Sequence, residues 1–218
     1  MAGGEHVFLS PADVFFDDRG LHLRARDDRQ LRFSVFPALK NAPVANVPLE
    51  RTGHDGVFVS YSASVPPKQV PVHWEKIRAA APSLPGKVGK YNAMAPDDSD
   101  FERAGVWRIV LPAQALDGLS DVFLQIQYAG DVARLEAGQR LLADDFYKGT
   151  TWEIGMKRFA PEALGKDLEL KIMPLRKDAK IYLPRDAWPQ FPPRGEIADV
   201  SGIRAMPEYE VRVNLGKF

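Results

Sequence analysis

We predict an all-β sandwich for this 218-residue chain from three observations. Apolar and polar residues alternate over several short runs, residues that favour turns separate the runs, and no long stretch places apolar residues at helical spacing. Successive side chains of a strand point to opposite faces, so each alternating run predicts a half-buried strand. Many short strands without helices between them are typical of a sandwich or barrel, and the 18 prolines fit loops and edge strands.

The alternating runs give the predicted strands, which in chain order lie at residues 21–26, 31–35, 122–128, 168–172 and 211–215. Residues that favour turns are found at Asp18-Arg19-Gly20, His54-Asp55-Gly56, Leu116-Asp117-Gly118 and Ala137-Gly138-Gln139. Short helical turns are predicted at Pro112–Leu116 and Pro161–Leu164, because proline is well tolerated in the first turn of a helix.

Residues 79–100 interrupt this strand pattern. The stretch begins with small residues and prolines and ends in an acidic cluster. We interpret residues 81–98 as a loop or linker between an N-terminal β unit at residues 1–80 and a C-terminal sandwich at residues 99–218. A second irregular stretch, Pro184–Glu196, is rich in proline and contains Trp188.

Composition excludes several classes of function. Lys plus Arg and Asp plus Glu both number 29, and this balance argues against a nucleic-acid partner, which usually requires a basic excess. The absence of cysteine excludes disulfides, thiolate nucleophiles and cysteine-based zinc sites. It does not indicate the compartment, because a core of this size needs no disulfide. No apolar run approaches the roughly 18 residues of a membrane span, so no membrane partner is expected.

Three segments carry a resemblance to a known family. Ser120–Leu135, Asp144–Gly149 and Thr151–Phe159 resemble the galactose-binding-like jelly roll near the C-terminus of bacterial glycoside hydrolase family 35 β-galactosidases. Further similar segments are Phe101–Leu111, Leu170–Leu183 and, more weakly, Val14–Asp18 and Phe33–Pro37. The resemblance is strongest from about residue 101 to 185. It implies a jelly-roll sandwich with additional N-terminal strands.

The resemblance also implies what the chain lacks. The catalytic glutamates of these enzymes lie on an N-terminal (β/α)8 barrel, which by itself needs about 250 residues. No residue here therefore inherits a catalytic role. Ala137-Gly138 stands where such jelly rolls often carry an Asn-Gly turn, so no sugar contact is transferred from that turn. The implied ligand is a galactoside or plant glycan, and the implied partner is a catalytic barrel domain or subunit.

Aromatic and polar residues in predicted loops are the candidate ligand contacts. Sugar sites usually combine a flat aromatic ring with a few polar groups that bind hydroxyls. On this basis the candidates are Trp188, Tyr147, Lys148, Asp145 and Tyr91. Trp188 is either a ligand platform or a contact with another domain. Trp107 and Trp152 are predicted to lie in the core.

Metal and catalytic signals are weak. Asp97, Asp98 and Asp100 form an acidic cluster that could hold a structural calcium, since calcium prefers several oxygen ligands. No other cofactor is expected. The four histidines lack zinc-binding spacing, and His22, which alternates with leucines, is predicted on the outer face of its strand. Glycoside hydrolysis needs two carboxylates, and the spacing singles out no pair among Glu75, Glu102, Glu153, Glu208 and Glu210.

Three functions of different classes remain open on the sequence. The first is a non-catalytic carbohydrate-binding or accessory module related to β-galactosidases. The second is a β-sandwich subunit that pairs with a separate catalytic barrel chain. The third is a stand-alone glycoside hydrolase that uses surface carboxylates.

Overall fold

The computed structural model describes residues 5–83 and 95–215 and is built almost entirely from antiparallel strands. The first eight strands are β1 Val7–Leu9, β2 Asp13–Asp17, β3 Gly20–Arg26, β4 Gln30–Phe36, β5 Val44–Ala45, β6 Leu49–Asp55, β7 Phe58–Ser64 and β8 His73–Arg78. The remaining strands are β9 Gly105–Val110, β10 Asp121–Ala129, β11 Val132–Ala137, β12 Arg140–Phe146, β13 Trp152–Gly155, β14 Asp167–Ile172, β15 Leu175–Arg176, β16 Glu196–Ile197 and β17 Asp199–Asn214. The prediction of an all-β sandwich is confirmed.

Helices are short. One α-helix, α1, spans Ala160–Ala163, and short 3-10 helices span Asp98–Arg103, Lys157–Phe159 and Arg185–Ala187. The predicted helical turn at residues 161–164 is thus confirmed, whereas Pro112–Leu116 forms hydrogen-bonded turns rather than a helix. Among the described residues, no helix has the length and apolar character needed to cross a membrane.

The chain forms two compact units, and both are discontinuous in sequence. Unit 1 contains the chain up to Gln69, the segment Leu116–Val122 and the chain from Met206 onward. Unit 2 contains Val70–Ala115 and Phe123–Ala205. Strands β10 and β17 each contribute residues to both units. The predicted linker at residues 81–98 lies largely outside the described residues, which resume at residue 95.

Unit 1 encloses a core between two sheets. One sheet has the strand order β1-β4-β7-β6, and in the other β3 pairs with β2 and with the last part of β17. Alternation directs Leu21 and Leu23 inward from β3, and they meet Leu31, Phe33 and Val35 of β4 in one apolar cluster. All five side chains are fully buried. The core of this unit therefore follows from the same period-two pattern that predicts its strands.

Unit 2 is organised around a five-stranded antiparallel sheet. Its strand order is β12-β11-β14-β9-β8. The unit also contains β13, most of β10 and the first part of β17, which are neighbours in another sheet. The inner face of the five-stranded sheet consists of fully buried apolar residues: Leu135 from β11, Leu168, Leu170 and Ile172 from β14, and Trp107 and Ile109 from β9. The predicted core positions of Trp107 and Trp152 are confirmed, since each is less than 7% exposed.

Gly130, between β10 and β11, provides a test of packing in unit 2. A Cβ atom there would overlap the Ile172 side chain and lie 2.9 Å from the Met173 carbonyl oxygen. Because Ile172 is fully buried and the second obstacle is a backbone carbonyl, neither can move aside easily, so we expect Gly130→Ala to lower the free energy of unfolding by about 1–3 kcal/mol. Urea denaturation followed by tryptophan fluorescence would measure the change.

Gly202→Ala is the matched control for this substitution. A Cβ atom at Gly202 meets only the Gln127 side-chain oxygen, at 3.4 Å, and its backbone needs no left-handed conformation. Its free energy of unfolding should stay within about 0.5 kcal/mol of the parent protein. Equal destabilisation by the two substitutions would contradict the packing described around Gly130.

Candidate functional site

The exposed face of the five-stranded sheet in unit 2 is lined with charged residues. Along β14, Leu168, Leu170 and Ile172 are fully buried, so Glu169 and Lys171 point to the opposite face. The same alternation applies along β9 and β11. The charged side chains of neighbouring strands therefore face solvent side by side, and strand register decides which of them meet.

The first register row of this face is cationic. Lys171 on β14 pairs in register with Arg134 on β11 and with Val106 on β9, and Val106 in turn pairs with Arg78 on β8. Three cations from three strands thus lie in one line across the sheet. Directly opposed side chains in such a line are about 5 Å apart at their Cβ atoms.

The second register row is mostly acidic. Glu136 on β11 is directly opposite Glu169 on β14, and the row continues through Arg108 on β9 to Glu75 on β8. The Lys171 ammonium lies 2.6 Å from a carboxylate oxygen of Glu136 and 3.5 Å from one of Glu169. Although burial lowers the pKa of Lys171, its bonds to Glu136 and then Glu169 outweigh that effect and raise it above its usual value. Lys171 therefore forms ion pairs with both opposed carboxylates.

A short helix at Asp98–Arg103 forms one wall beside the cationic row. Its Phe101 is buried with Ala104 and Val132 in a small apolar cluster. The Arg134 guanidinium lies 3.9 Å from the centre of the Phe101 ring and donates a 2.5 Å hydrogen bond to the Asp98 carboxylate. The contacts with Phe101 and Asp98 therefore hold Arg134 in place at one end of the cationic row.

The three aspartates proposed as calcium ligands lie at the start of this helix, where they cap its backbone or pair with Arg134. The Asp97 backbone N–H donates to the Asp100 carboxylate at 2.8 Å in a reciprocal capping box, and Asp98 is paired with Arg134. Within residues 5–83 and 95–215, no group of three or more His, Cys, Asp or Glu is arranged to hold a metal ion. The carboxylates of Asp97, Asp98 and Asp100 have capping and ion-pairing roles, and calcium at this cluster stays a prediction.

These elements enclose a groove of about 640 Å³ on the exposed face of unit 2. This volume lies within the range of small-molecule sites. The groove is lined by Ile77, Arg78, Asp98, Phe101, Glu102, Val106, Arg134, Glu136, Gln139, Leu141, Glu169 and Lys171. Its walls thus combine hydrogen-bond donors, hydrogen-bond acceptors and two exposed apolar side chains, Ile77 and Leu141, which are 57% and 45% exposed. We call it the outer-face groove.

Three of the sequence-predicted ligand contacts lie together in another part of unit 2. Asp145 accepts a 3.0 Å hydrogen bond from the Tyr128 hydroxyl and a 2.8 Å hydrogen bond from the Lys148 ammonium. Tyr147 packs edge-on against Tyr128, with ring centres 5.5 Å apart. Burial, and then the charge of Asp145, raise the pKa of Tyr128 above its usual range. The structure therefore gives Asp145, Tyr147 and Lys148 packing and pairing roles, and their role as ligand contacts stays a prediction.

Of the other two predicted contacts, Trp188 has no described interaction with Asp145, Tyr147 or Lys148. The Trp188 indole N–H donates to the Leu183 carbonyl oxygen at 3.0 Å, and its ring centre lies 5.9 Å from that of Phe191. Trp188 thus packs within its own proline-rich loop. Tyr91 lies outside the described residues.

The glutamates considered for catalysis are dispersed. Glu75 pairs with Arg108, Glu153 accepts a hydrogen bond from Gln125, and Glu208 lies 3.8 Å from Arg26. Glu210 pairs with His22, while Glu102 lines the outer-face groove. The described contacts do not bring any two of these five glutamates together as a catalytic pair.

The groove residues Arg134, Glu136, Glu169 and Lys171 were not predicted as a site. Each occupies a polar position in an alternating strand, and such positions are usually solvated. The only signal in the sequence is that charges of opposite sign recur two residues apart on both β11 and β14. Their proximity depends on strand register, which the sequence pattern does not contain. Comparison of the chain with protein-family models, curated proteins and solved structures found no match.

His22 in unit 1 lies on the outer face of β3, as predicted, but it is buried there. It does lie opposite Leu21 and Leu23, but it is only 5% exposed because Phe15 stacks on its ring with centres 4.4 Å apart. Its Nδ1 lies 2.5 Å from Glu210 and its Nε2 lies 2.9 Å from Asp17. The outer face of β3 is therefore covered at this point rather than solvated.

Both ring nitrogens of His22 face carboxylates, and this determines how the residue titrates. Burial lowers the pKa of His22, but the hydrogen bonds to Glu210 and then Asp17 outweigh it and raise the pKa above its usual 6.5. The bond to His22 lowers the pKa of Asp17. Burial raises the pKa of Glu210, but its bond to His22, followed by the charge of Arg24, lowers it overall.

We expect unit 1 to lose stability at alkaline pH. A raised histidine pKa contributes stability that is fully present below about pH 6.5 and is lost as the pH rises through the folded-state value. The lowered carboxyl pKa values contribute stability that is lost only in acid. The free energy of unfolding should therefore decline above pH 6.5, and His22→Gln should remove this decline. Urea denaturation from pH 5 to 9 would measure it.

His54→Gln is the control, because His54 is exposed and hydrogen-bonds only to Arg51 in the described contacts. This variant should keep the decline above pH 6.5. If His22→Gln keeps the decline and His54→Gln removes it, the hydrogen bonds of His22 to Glu210 and Asp17 are not the cause of the decline.

Proposed function

We propose that the chain is a non-catalytic carbohydrate-binding or accessory module whose ligand binds in the outer-face groove. The observation that carries this proposal is the ion-paired lining of the groove, in which three cations lie among four carboxylates. Arg134 is paired with Asp98, and Lys171 with Glu136 and Glu169. The groove therefore offers many hydrogen-bonding atoms with little net charge.

A neutral, hydroxyl-rich ligand fits this lining better than an ionic one. A charged ligand would have to compete with the existing ion pairs, whereas each paired carboxylate keeps lone pairs that can accept hydrogen bonds from hydroxyls. The exposed Ile77 and Leu141 side chains supply apolar surface for the C–H faces of sugar rings. The outer-face groove thus has the mixed polar and apolar surface that sugar recognition needs.

The resemblance of Ser120–Leu135 and neighbouring segments to the jelly roll of family 35 β-galactosidases supports the same class of ligand. It favours a galactoside or a plant glycan and a role beside a catalytic domain. The all-β sandwich agrees with such a module.

Binding is favoured over catalysis by the position of Lys171. Glu136 and Glu169 are the two groove carboxylates in direct register, and glycoside hydrolysis uses a pair of carboxyl groups. Both face the Lys171 ammonium, however, so neither is arranged to donate a proton to a leaving group. The pair is better suited to accept hydrogen bonds from a bound sugar.

A second candidate function, a sandwich subunit that pairs with a separate catalytic barrel, is favoured by one observation. Strands β1 and β2 of unit 1 expose Val7, Leu9 and Phe16 by 52–53%, and Phe36 on β4 is 42% exposed. Val7 lies directly opposite Phe36 in register, and contiguous exposed apolar side chains often mark protein contacts. A stable complex with an isolated family 35 barrel in sedimentation experiments would favour this function.

We expect Glu169→Ala to weaken saccharide binding about tenfold. The substitution removes one charged acceptor from the groove, and a hydrogen bond to a charged group contributes about 1.5 kcal/mol or more. Its side chain is 52% exposed, so folding should be unaffected. Ligand-induced shifts in melting temperature across galactosides and plant glycans would identify a ligand, and calorimetric titration would then measure the dissociation constant.

Glu75→Ala is the matched control for Glu169→Ala. Glu75 occupies the same register row, is 54% exposed and lies outside the groove lining. The Glu75→Ala variant should bind the ligand with the same affinity as the parent protein. Equal weakening in both variants would place the binding site elsewhere. Turnover of chromogenic glycosides would contradict the non-catalytic proposal.

A further inference from the structure

We infer that the outer-face groove binds an extended oligosaccharide lying across the strands, rather than a single sugar. This inference rests on the proposed function and concerns the size and orientation of the ligand. The groove lining includes Ile77 and Arg78 from β8 at one edge of the sheet and Leu141 from β12 at the other. The groove therefore crosses all five strands.

Sheet geometry gives the length of this crossing. Five neighbouring strands about 4.8 Å apart span about 19 Å from the first to the last. A single pyranose ring would occupy only a small part of that distance. The groove volume of about 640 Å³ is also large for one sugar.

The register rows place charged side chains on three of the five strands that the groove crosses. The cationic row runs through Arg78, Lys171 and Arg134, and carboxylates lie on both sides of it. On one side Glu136 and Glu169 follow in the next row, and on the other Asp98 comes from the short helix. A ligand aligned with the rows would meet charged hydrogen-bonding groups on β8, β14 and β11. A chain of repeating hydroxyl-bearing units matches this repetition.

The ends of the groove are apolar and exposed. Ile77 on β8 is 57% exposed and Leu141 on β12 is 45% exposed. Only a ligand that spans the sheet can contact both side chains at once. Substitution of either residue should therefore lower the affinity for long chains. Because both side chains are exposed, neither substitution should affect folding.

The experiment is calorimetric titration of the full chain with galactose and with β-linked galacto-oligosaccharides of increasing length. We expect affinity to rise at least tenfold between the monosaccharide and the chain that fills the groove, and then to level off. Ile77→Ser and Leu141→Ser should each weaken binding of that longer chain several-fold. Val44→Ser, an exposed apolar position in unit 1 with 69% exposure, should leave it unchanged.

The outcomes separate this inference from the proposed function. If galactose binds as tightly as the longer chains, the extended-chain inference is wrong and the carbohydrate-binding function stands. If affinity rises with length but Ile77→Ser and Leu141→Ser bind like the parent, the ligand does not cross the outer-face groove and the inference is again wrong. If no saccharide binds, the inference and the proposed function both fail.

Discussion

The burial of alternate residues along β14 determines what the exposed face of the five-stranded sheet can contain. Leu168, Leu170 and Ile172 are fully buried, and each contributes about 1.5–3 kcal/mol by leaving water. Because a strand turns successive side chains to opposite faces, this burial forces Glu169 and Lys171 outward. A shift of one residue in register would bury both charges, so the apolar core holds the charged face in place.

The charged rows contribute little to that stability themselves. Exposed ion pairs are typically worth 0–1 kcal/mol, since solvent screens them and long side chains lose entropy when they are held. Asp98 is 94% exposed, so its pair with Arg134 belongs to this class. The Lys171 and Glu136 side chains are 24% and 13% exposed, and the cost of removing their charges from water offsets much of their attraction, so this pair is also a weak explanation for folding. Their effect is local: they hold donors and acceptors at defined positions beside the groove. The apolar inner face stabilises the fold, whereas the outer face carries the polar groups that a ligand can contact.

Strand periodicity was sufficient to predict the fold class and much of the core. The runs at β3, β4, β10 and β14 were predicted with nearly the observed bounds, because each has one buried and one polar face. Strand β8 was missed because all six of its residues are exposed and it has no alternation. The extent of β17, Asp199–Asn214, was also missed, since only its last residues alternate clearly.

The candidate site could not be predicted in the same way, because it depends on contacts between distant strands. Glu136 and Glu169 are 33 positions apart in the chain and become neighbours only through the register of β11 and β14. His22 shows the same limit: its alternation predicts the correct face, but the stacking of Phe15 from β2 buries it. Local pattern thus predicts which way a side chain points, while register and neighbouring strands decide what covers it and what it meets.

The chemistry of the groove also constrains how it can bind. Each hydrogen bond to a sugar replaces one to water, so its net contribution is only about 0.5–1.5 kcal/mol, or about 1.5–3 kcal/mol where the protein group is charged. Association costs about 4 to 15 kcal/mol of lost motional freedom, so one or two such bonds give little net affinity. A groove without a large exposed aromatic ring must therefore combine several polar contacts with contacts to Ile77 and Leu141. These groups are spread over five strands, so useful affinity requires a ligand long enough to reach several of them together.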